Sequence, residues 1–324
     1  MDIELVYALQ GKKLTAWQTL LNQAGLTPDM DWETTVLIWD EGDLVAAASR
    51  MGNLLKCIAV DDSHQGEGLT ATLLTQLRQD AFQAGHSHLF LYTKPKNREM
   101  FSSLFFYPFA ETADVLLMEN KETGIDGFLE TLPDDLCGGT VGALVMNCNP
   151  FTKGHRYLIE TAAKECLRVY VFVLSEDKSQ FSAADRLEMV RRGTEDISNV
   201  KVLPTGPYLI SSATFPTYFL KDREGVEQVH CLLDIEIFCN YYAPRLGISR
   251  RYVGTEPLSP MTAQYNEALK ANLPQRGIAL REIPRLEIGV PVSASAVREA
   301  LEKGDDETLR SMLPQTTYNY LKDL

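Results

Sequence analysis

The chain has 324 residues, of which 45% are hydrophobic and 23% are charged, and its formal net charge at pH 7 is −13. This length is sufficient for two ordinary globular domains, each of which can bury its own core. Both halves of the sequence are acidic, which excludes the cationic surfaces that bind nucleic acids or anionic membranes, so we expect neither partner.

The first part of the chain is predicted to alternate short strands with helices. Hydrophobic periodicity predicts a strand at residues 5–9 and then a helix at 14–24. The other elements predicted in this part are strands at 35–39, 44–49, 54–60 and 89–92, a helix at 69–84, a short helix from Asn97 and a hairpin at 107–118. A polar stretch at 119–126 predicts a boundary, which divides the chain into domains of residues 1–125 and 126–324.

The second part is predicted to alternate buried strands with helices. Residues 140–146 form a continuous apolar run, which is typical of a strand buried on both faces of a parallel sheet. The other elements predicted here are strands at 169–174, 200–203 and 230–233, a strand ending at Val253, and helices at 157–166, from Ala183, at 261–271 and at 295–302. This alternation implies right-handed crossovers, so the predicted fold class is α/β with an open parallel sheet.

Targeting signals and metal-ligand patterns were not found in the sequence. The first residues lack the basic start and apolar core of a signal peptide, and no apolar run approaches the roughly 20 residues that span a bilayer. The six cysteines are scattered without zinc-ligand spacing. We therefore expect a cytoplasmic protein with reduced cysteines and no structural metal.

One motif follows the first buried strand of the second part. The segment Asn149-Pro-Phe-Thr-Lys-Gly-His155 opens a predicted helix there. Ligands of open parallel sheets bind at the carboxyl ends of strands, and a helix N-terminus suits phosphate. Gly154 lets the backbone approach a ligand, Thr152 can bond a phosphate oxygen and Lys153 adds positive charge. His155 can donate a hydrogen bond to the α-phosphate as it becomes five-coordinate. The alternative is a plain turn, an N-cap at Thr152 and a half-buried His155.

A second cluster lies at the start of a late helix. Ser293, Ser295 and Arg298 place two hydroxyls and a guanidinium within six residues. Arg298 can act there as a planar donor to phosphates. The alternative is that Ser295 is an N-cap and Arg298 a solvated surface residue. The presence of both clusters in one domain favours two phosphate clamps.

These residues carry a resemblance to known families. Thr152-x-Gly-His155 with Ser293-x-Ser295-x-x-Arg298 resembles the nucleotidyltransferases with the HxGH-type motif. Longer strings at 147–160, 210–221, 253–257 and 292–298 resemble citrate lyase ligase. That family joins a GNAT acetyltransferase-like domain, here residues 1–125, to a Rossmann-like nucleotidyltransferase domain of the HUP type, here 126–324.

The resemblance implies a reaction in two steps. Acetate attacks the α-phosphate of ATP, and the acetyl group then passes to the thiol of the prosthetic group on the acyl carrier subunit of citrate lyase. Mg²⁺ carried by the phosphates is the expected helper. The implied catalytic residues are Thr152, Lys153, His155 and Arg298. The implied ATP-binding residues are Asn147, Asn149, Phe151, Thr152, Gly154, His155, Arg186, Gly254, Glu256, Ser293, Ser295 and Arg298.

Several of these assignments have simpler alternatives. Arg186 resembles a basic residue near the phosphates, but it can also be a surface helix arginine. Gly254 and Glu256 follow a strand and could border the adenine and ribose, or form a plain turn. The acceptor side is assigned to Ser211, Ser212 and Thr214, whose alternative is a capped short helix.

A glycine-containing loop in the first domain resembles the pyrophosphate loop of GNAT acetyltransferases. Its candidate residues are Gln65, Gly66, Gly68 and Thr70. Thr70 departs from the family pattern, and Glu67 adds a negative charge near the expected pyrophosphate. The loop therefore could bind acetyl-CoA or recognise the CoA-like arm of the carrier protein.

Two other functions remain open from the sequence. The same ATP site would serve an adenylyltransferase that acts on a phosphorylated acceptor such as phosphopantetheine. A non-catalytic CoA-binding module is the third possibility, against which the intact Thr152, Gly154, His155 and Arg298 argue.

Overall fold

The computed structural model describes residues 1–176, 179–209, 218, 226–256, 260–288 and 290–324. The chain forms two compact units, Met1–Asp126 with Pro216–Val229, and Gly127–Phe215 with His230–Leu324. Within the described ranges, no helix combines the length and the apolar composition that crossing a membrane requires.

The first unit is built on a seven-stranded sheet. Its elements are β1 (Asp2–Val6), α1 (Gly11–Gln23), β2 (Thr34–Asp40), β3 (Asp43–Met51), β4 (Leu54–Val60), α2 (Leu69–Gln83), β5 (Phe90–Thr93), α3 (Arg98–Ser103), β6 (Tyr107–Glu111) and β7 (Leu116–Glu119). The strand order is β1-β2-β3-β4-β5-β7-β6, and only the β4–β5 pair is parallel. Leu73, Leu77 and Ala81 recur at helical spacing on α2, and they bury this face in the core of the unit.

The parallel strands β4 and β5 separate soon after they meet. Their pairing ends at Leu55 and Leu91, and Tyr218 lies beside the next residue of β5. The Tyr218 hydroxyl donates to the Tyr92 carbonyl oxygen over 2.7 Å, and the Tyr218 carbonyl accepts from the Thr27 N–H over 2.8 Å. A phenol thus satisfies a carbonyl at the point where the strand partner ends. Burial raises the pKa of Tyr218 well above its usual value.

The second unit is built on a five-stranded parallel sheet. The elements from the end of the first sheet onward are α4 (Gly124–Glu130), β8 (Val141–Met146), α5 (Lys153–Glu165), β9 (Arg168–Val173), α6 (Ala183–Thr194), β10 (Val200–Pro204), α7 (Val226–Ile237), α8 (Ala243–Leu246), β11 (Arg250–Gly254), α9 (Pro260–Asn272), β12 (Ala279–Ile283), β13 (Glu287–Ile288), β14 (Val290–Pro291), α10 (Ala294–Lys303), α11 (Asp306–Met312) and α12 (Gln315–Asp323). The strand order is β10-β9-β8-β11-β12, which confirms the predicted α/β class with an open parallel sheet. Strands β9 and β10 follow on one side of β8, whereas β11 and β12 lie on its other side. The order of the strands therefore switches between β8 and β11, and a ligand crevice is expected at their carboxyl ends.

The predicted strand at 230–233 is wrong, because those residues lie in α7. Apolar residues at alternate positions, such as Val229, Cys231 and Leu233, imitate the period of a strand. The helix is instead buried on several sides, and its polar residues His230 and Asp234 are buried as well, so they do not mark a solvent-exposed face. β12 was not predicted, because its sequence Ala-Leu-Arg-Glu-Ile is largely exposed at the edge of the sheet.

The cysteines were predicted to be reduced residues in or near the cores. All six are free in the structure, and all except Cys137 are buried.

Candidate active site

The loop between β8 and α5 is anchored to the core from inside. Cys148 and Phe151 are 1% and 0% exposed. The Phe151 ring packs against Gly193 of α6, where an added Cβ would overlap the ring. It also stacks on the His155 imidazole with a centroid distance of 6.0 Å and an interplanar angle of 17°. Phe151 therefore fixes the loop and supports one face of the His155 ring.

Thr152 and His155 hold each other at the N-terminus of α5. Thr152 is the N-cap, and its hydroxyl accepts from the His155 backbone N–H over 3.4 Å. In return, Nδ1 of His155 lies 3.0 Å from the Thr152 backbone N–H and 2.9 Å from its hydroxyl. Because the backbone N–H can only donate, Nδ1 must accept, and the neutral imidazole carries its proton on Nε2. The cap thus selects the tautomer with a donor at Nε2.

The environment of His155 keeps the imidazole neutral. Burial, together with the smaller effect of the positive charge of Arg285, lowers its pKa to about 4. The residue is half-buried and so remains partly exposed to solvent. At neutral pH, His155 is therefore a neutral donor that a phosphate oxygen can approach.

The two sequence clusters meet at the Asn149 carbonyl. Nη1 of Arg298 donates to this oxygen over 2.6 Å, and Nη2 donates to Ser295 Oγ over 3.1 Å. Ser293 is the N-cap of α10 and accepts from the Ala296 N–H over 3.0 Å. The alternative that Ser295 is the N-cap is therefore wrong, because the helix starts one residue earlier than predicted and Ser293 caps it. Arg298 is half-buried and is not a free surface residue.

Arg186 is completely buried, which rules out the alternative of a surface arginine. Its Nη1 donates to the carbonyl and side-chain oxygens of Asn147 over 2.9 Å and 2.6 Å. Its other nitrogens reach the carbonyls of Phe181 and Glu176. Arg186 thus ties the end of β8 to the segment before α6. Asn149 adds a parallel link, since its side-chain oxygen accepts from the Phe181 N–H.

Lys153 has partners at the end of another helix. Its ammonium donates to the carbonyls of Arg310 and Ser311 over 2.9 Å and 2.7 Å. Carbonyls in the last turn of a helix attract cations, so Lys153 caps α11 in this structure.

A cavity of about 270 Å³ opens beside this loop. Its lining includes Gly154, His155, Gly254, Glu256 and Ser293 from the predicted set. A Cβ at Gly154 would meet only ordinary contacts, the nearest being 3.5 Å away at Thr152 Oγ1. Gly154 is therefore not required by the packing of the protein itself, and its absent side chain leaves room for a ligand.

Arg285 also lines this cavity, and the sequence did not point to it. It follows β12 by two residues and pairs with Glu256, with 3.0 Å between Nη1 and Oε1. The available signal was a cation just after a strand at the carboxyl edge of the sheet. That signal was lost with the unpredicted β12.

The glycine loop of the first unit lines a separate cavity of about 540 Å³, together with the start of α2. Gly66 and Gly68 adopt positive φ angles of 89° and 77°, with open space around their Cα atoms. Gln65 is exposed and bonds Asp62, while Thr70 is half-buried in the first turn of α2. Both residues line the cavity.

The predicted acceptor residues Ser211, Ser212 and Thr214 lie outside the described residues. The acceptor side of the reaction therefore stays a prediction from sequence.

Comparisons with known proteins match both parts of the chain. The family model described as "Citrate lyase ligase C-terminal domain" matches residues 141–321, and the one described as "Acetyltransferase (GNAT) family" matches 6–102. The chain is 41% identical over 311 residues to a citrate (pro-3S)-lyase ligase of Klebsiella pneumoniae, covering 94% of this chain and 91% of that protein. The corresponding ligase of Escherichia coli (strain K12) is 37% identical over 323 residues, covering 97% and 92%. A phosphopantetheine adenylyltransferase of Clostridium botulinum (strain 657 / Type Ba4) is 45% identical over only 56 residues, or 17% of this chain and 34% of that protein.

Proposed function

The chain belongs to the citrate lyase ligase family, and we propose that it is an ATP-dependent acid–thiol ligase that acetylates the carrier subunit of citrate lyase. The acceptor is the thiol of the prosthetic group on that subunit, and acetylation activates the lyase. The proposed compartment is the cytoplasm, where free cysteines stay reduced.

The observation that carries the proposed chemistry is the fixed tautomer of His155. Thr152 directs the proton to Nε2, and the lowered pKa keeps the ring neutral. Such a donor can stabilise charge on the α-phosphate without reorganising during the reaction. The N-terminus of α5 adds backbone N–H groups and a partial positive charge at the same place.

The reaction proceeds in two balanced steps. An acetate oxygen bonds to the α-phosphorus of ATP while the bond from that phosphorus to the oxygen of the β-phosphate breaks, giving acetyl-adenylate and pyrophosphate. The sulfur of the carrier arm then bonds to the acetyl carbon, AMP leaves and the thiol proton is released. The protein contributes positioning and charge stabilisation, and no covalent intermediate with a side chain is needed. Mg²⁺ bound to the phosphates would supply further charge neutralisation.

Residue roles follow from their places in the second unit. His155 is the proposed donor to the α-phosphate, and Thr152 orients it. Arg298 and Arg186 are proposed to hold the loop through the Asn149 and Asn147 carbonyls. Gly154 and Gly254 leave space for the nucleotide in the cavity. Lys153 is proposed to reach the triphosphate after releasing the end of α11.

We assign the first unit to the thiol arm of the carrier protein. Gln65, Gly66, Gly68 and Thr70 line the larger cavity, and its loop offers backbone donors to the phosphates of a CoA-like arm. Acetyl-CoA is not the proposed acyl donor, because Glu67 and the side chain of Thr70 depart from the acetyltransferase loop pattern.

The test is isotope exchange between pyrophosphate and ATP in the full-length protein. We expect exchange that requires acetate, and acetyl transfer to the thiol form of the carrier subunit. Exchange that needs phosphopantetheine and ignores acetate would instead show an adenylyltransferase. ATP-independent transfer from acetyl-CoA would show an acetyltransferase.

A further inference from the structure

We propose that Arg285 is a further side chain that binds the phosphates of ATP in the candidate active site, and that Glu256 positions its guanidinium. Neither the sequence motifs nor the family resemblance pointed to Arg285. This inference rests on the proposed function, because it concerns the phosphates of the same nucleotide.

Arg285 joins two walls of the cavity. Its backbone N–H donates to Thr255 Oγ1 over 3.1 Å, just after β11 ends. Its Nε donates to the Val292 carbonyl over 3.3 Å, immediately before the N-cap of α10. Nη1 donates to Glu256 Oε1 over 3.0 Å. The guanidinium is thereby held at the carboxyl edge of the sheet, between β11 and the start of α10.

One edge of this guanidinium remains available to a ligand. Nη2 of Arg285 makes no hydrogen bond to any residue that the structure describes, and the side chain is 21% exposed. An arginine presents its donors in a planar fork, so Glu256 can hold one nitrogen while another faces an anion. Glu256 therefore orients the guanidinium and leaves Nη2 available to a ligand.

The other cationic side chains of the proposed site are already bound to the protein. The Lys153 ammonium caps α11, Arg186 is buried among carbonyl oxygens, and Arg298 is bonded to Asn149 and Ser295. Among the described residues that line the cavity, Arg285 is the one that carries a full positive charge at neutral pH. A triphosphate in the cavity would therefore lie in the field of this charge.

The positive charge of Arg285 also acts on His155. Both residues line the same cavity, and Arg285 contributes to the lowered pKa of the imidazole. A phosphate placed within reach of Nε2 of His155 is therefore also within the field of the guanidinium.

The first experiment compares Arg285→Gln and Arg285→Lys in the full-length protein. We expect Arg285→Gln to raise the KM for ATP in pyrophosphate exchange by about 10- to 100-fold, the range for losing a hydrogen bond to a charged group. The KM for acetate should change less than about threefold. Arg285→Lys should recover part of the ATP affinity, since it keeps the charge and loses the fork. Glu256→Gln should shift the KM for ATP in the same direction by a smaller factor.

A matched control is Arg245→Gln. Arg245 is similarly exposed, at 25%, pairs with Asp134 and donates to the carbonyls of Leu129 and Leu132, but it does not line the cavity. Its KM for ATP should stay at the wild-type value. An equal increase in both variants would reduce Arg285 to a structural role and overturn the proposal.

Two further measurements separate this proposal from the proposed function. Direct titration with a non-hydrolysable ATP analogue measures binding even if acetate-dependent exchange is absent from the wild type. In NMR, the His155 pKa should rise in Arg285→Gln, because a positive charge has been removed. Unchanged affinity for the analogue in Arg285→Gln would refute the phosphate contact, whatever reaction the wild-type protein performs.

Discussion

The helices α2 and α5 both start after a strand and a connecting loop, but the two loops are stabilised differently. At α2 the cap is Gly68, which makes no side-chain cap bond, and Gly66 and Gly68 stand in open space. At α5, Thr152 and His155 form a reciprocal cap, and Arg298 holds the Asn149 carbonyl. A loop that only binds an anion can rely on its backbone. A site that stabilises a transition state must have its donor fixed before the substrate arrives.

The largest expected effect comes from removing the hydrogen-bond donor His155 at the start of α5. His155→Ala should lower acetate-dependent pyrophosphate exchange by about 2–4 kcal/mol of transition-state stabilisation, because one preorganised donor is lost. ATP binding should change much less. Steady-state kinetics and a direct ATP titration separate the two effects, with circular dichroism to confirm folding. Wild-type exchange in a folded variant would remove His155 from the mechanism.

Substitutions at two glycines of the second unit should distinguish a glycine required for packing from one that leaves room for a ligand. Gly193→Ala should lower the free energy of unfolding by about 1–3 kcal/mol, because its Cβ overlaps the Phe151 ring. Gly154→Ala should cost less than about 0.5 kcal/mol in stability, since its Cβ fits, yet raise the KM for ATP. Urea denaturation and exchange kinetics on both variants test this. The reverse pattern would mean that the cavity beside Gly154 does not receive the nucleotide.

The contribution of His155 to the stability of the protein should depend on pH. The folded His155 has a pKa of about 4, below its ordinary value of 6.5, so the unfolded chain binds more protons between these limits. The contribution of a neutral His155 to stability is therefore complete above pH 6.5 and is lost as the pH falls towards 4. The difference in unfolding free energy between wild type and His155→Asn should shift by up to about 3 kcal/mol across this window. A difference that stays constant with pH would contradict the lowered pKa.

The smallest effect is expected from a change in the glycine loop before α2. Thr70→Ala should leave acetate-dependent exchange within about 0.5 kcal/mol of wild type, because every proposed ATP contact lies in the second unit. Acetyl transfer to the carrier thiol should weaken, since remote binding groups help to orient the reacting thiol. Measuring both steps on one preparation gives an internal control. Equal losses in both steps would make the first unit part of the adenylation site.

The sequence predicted the fixed loop better than its surroundings. The Thr152–His155 cap spans four residues, and β8 is a continuous apolar run, so both are local signals. Lys153 finds its partners 157 and 158 residues away, which no local pattern reveals. Arg186 was left open between phosphate and surface, because burial of an arginine depends on carbonyls brought together by the fold.

The missed residue and the wrong strand share a physical cause. Period-based prediction assumes that each element has one buried face, and neither α7 nor β12 satisfies this condition. α7 is buried on several sides, whereas β12 is an edge strand with mostly exposed side chains. The error at α7 left the sheet order unaffected, but the omission of β12 concealed Arg285.

The position of Tyr218 means that the first unit is not one uninterrupted stretch of the gene. A fragment that stops at Asp126 lacks the phenol that satisfies the Tyr92 carbonyl, and a fragment that begins at Gly127 carries Tyr218 without its partner. A single cut therefore yields two incomplete pieces. Exchanging the first unit between relatives, or producing it alone, requires transplanting residues 216–229 together with residues 1–126.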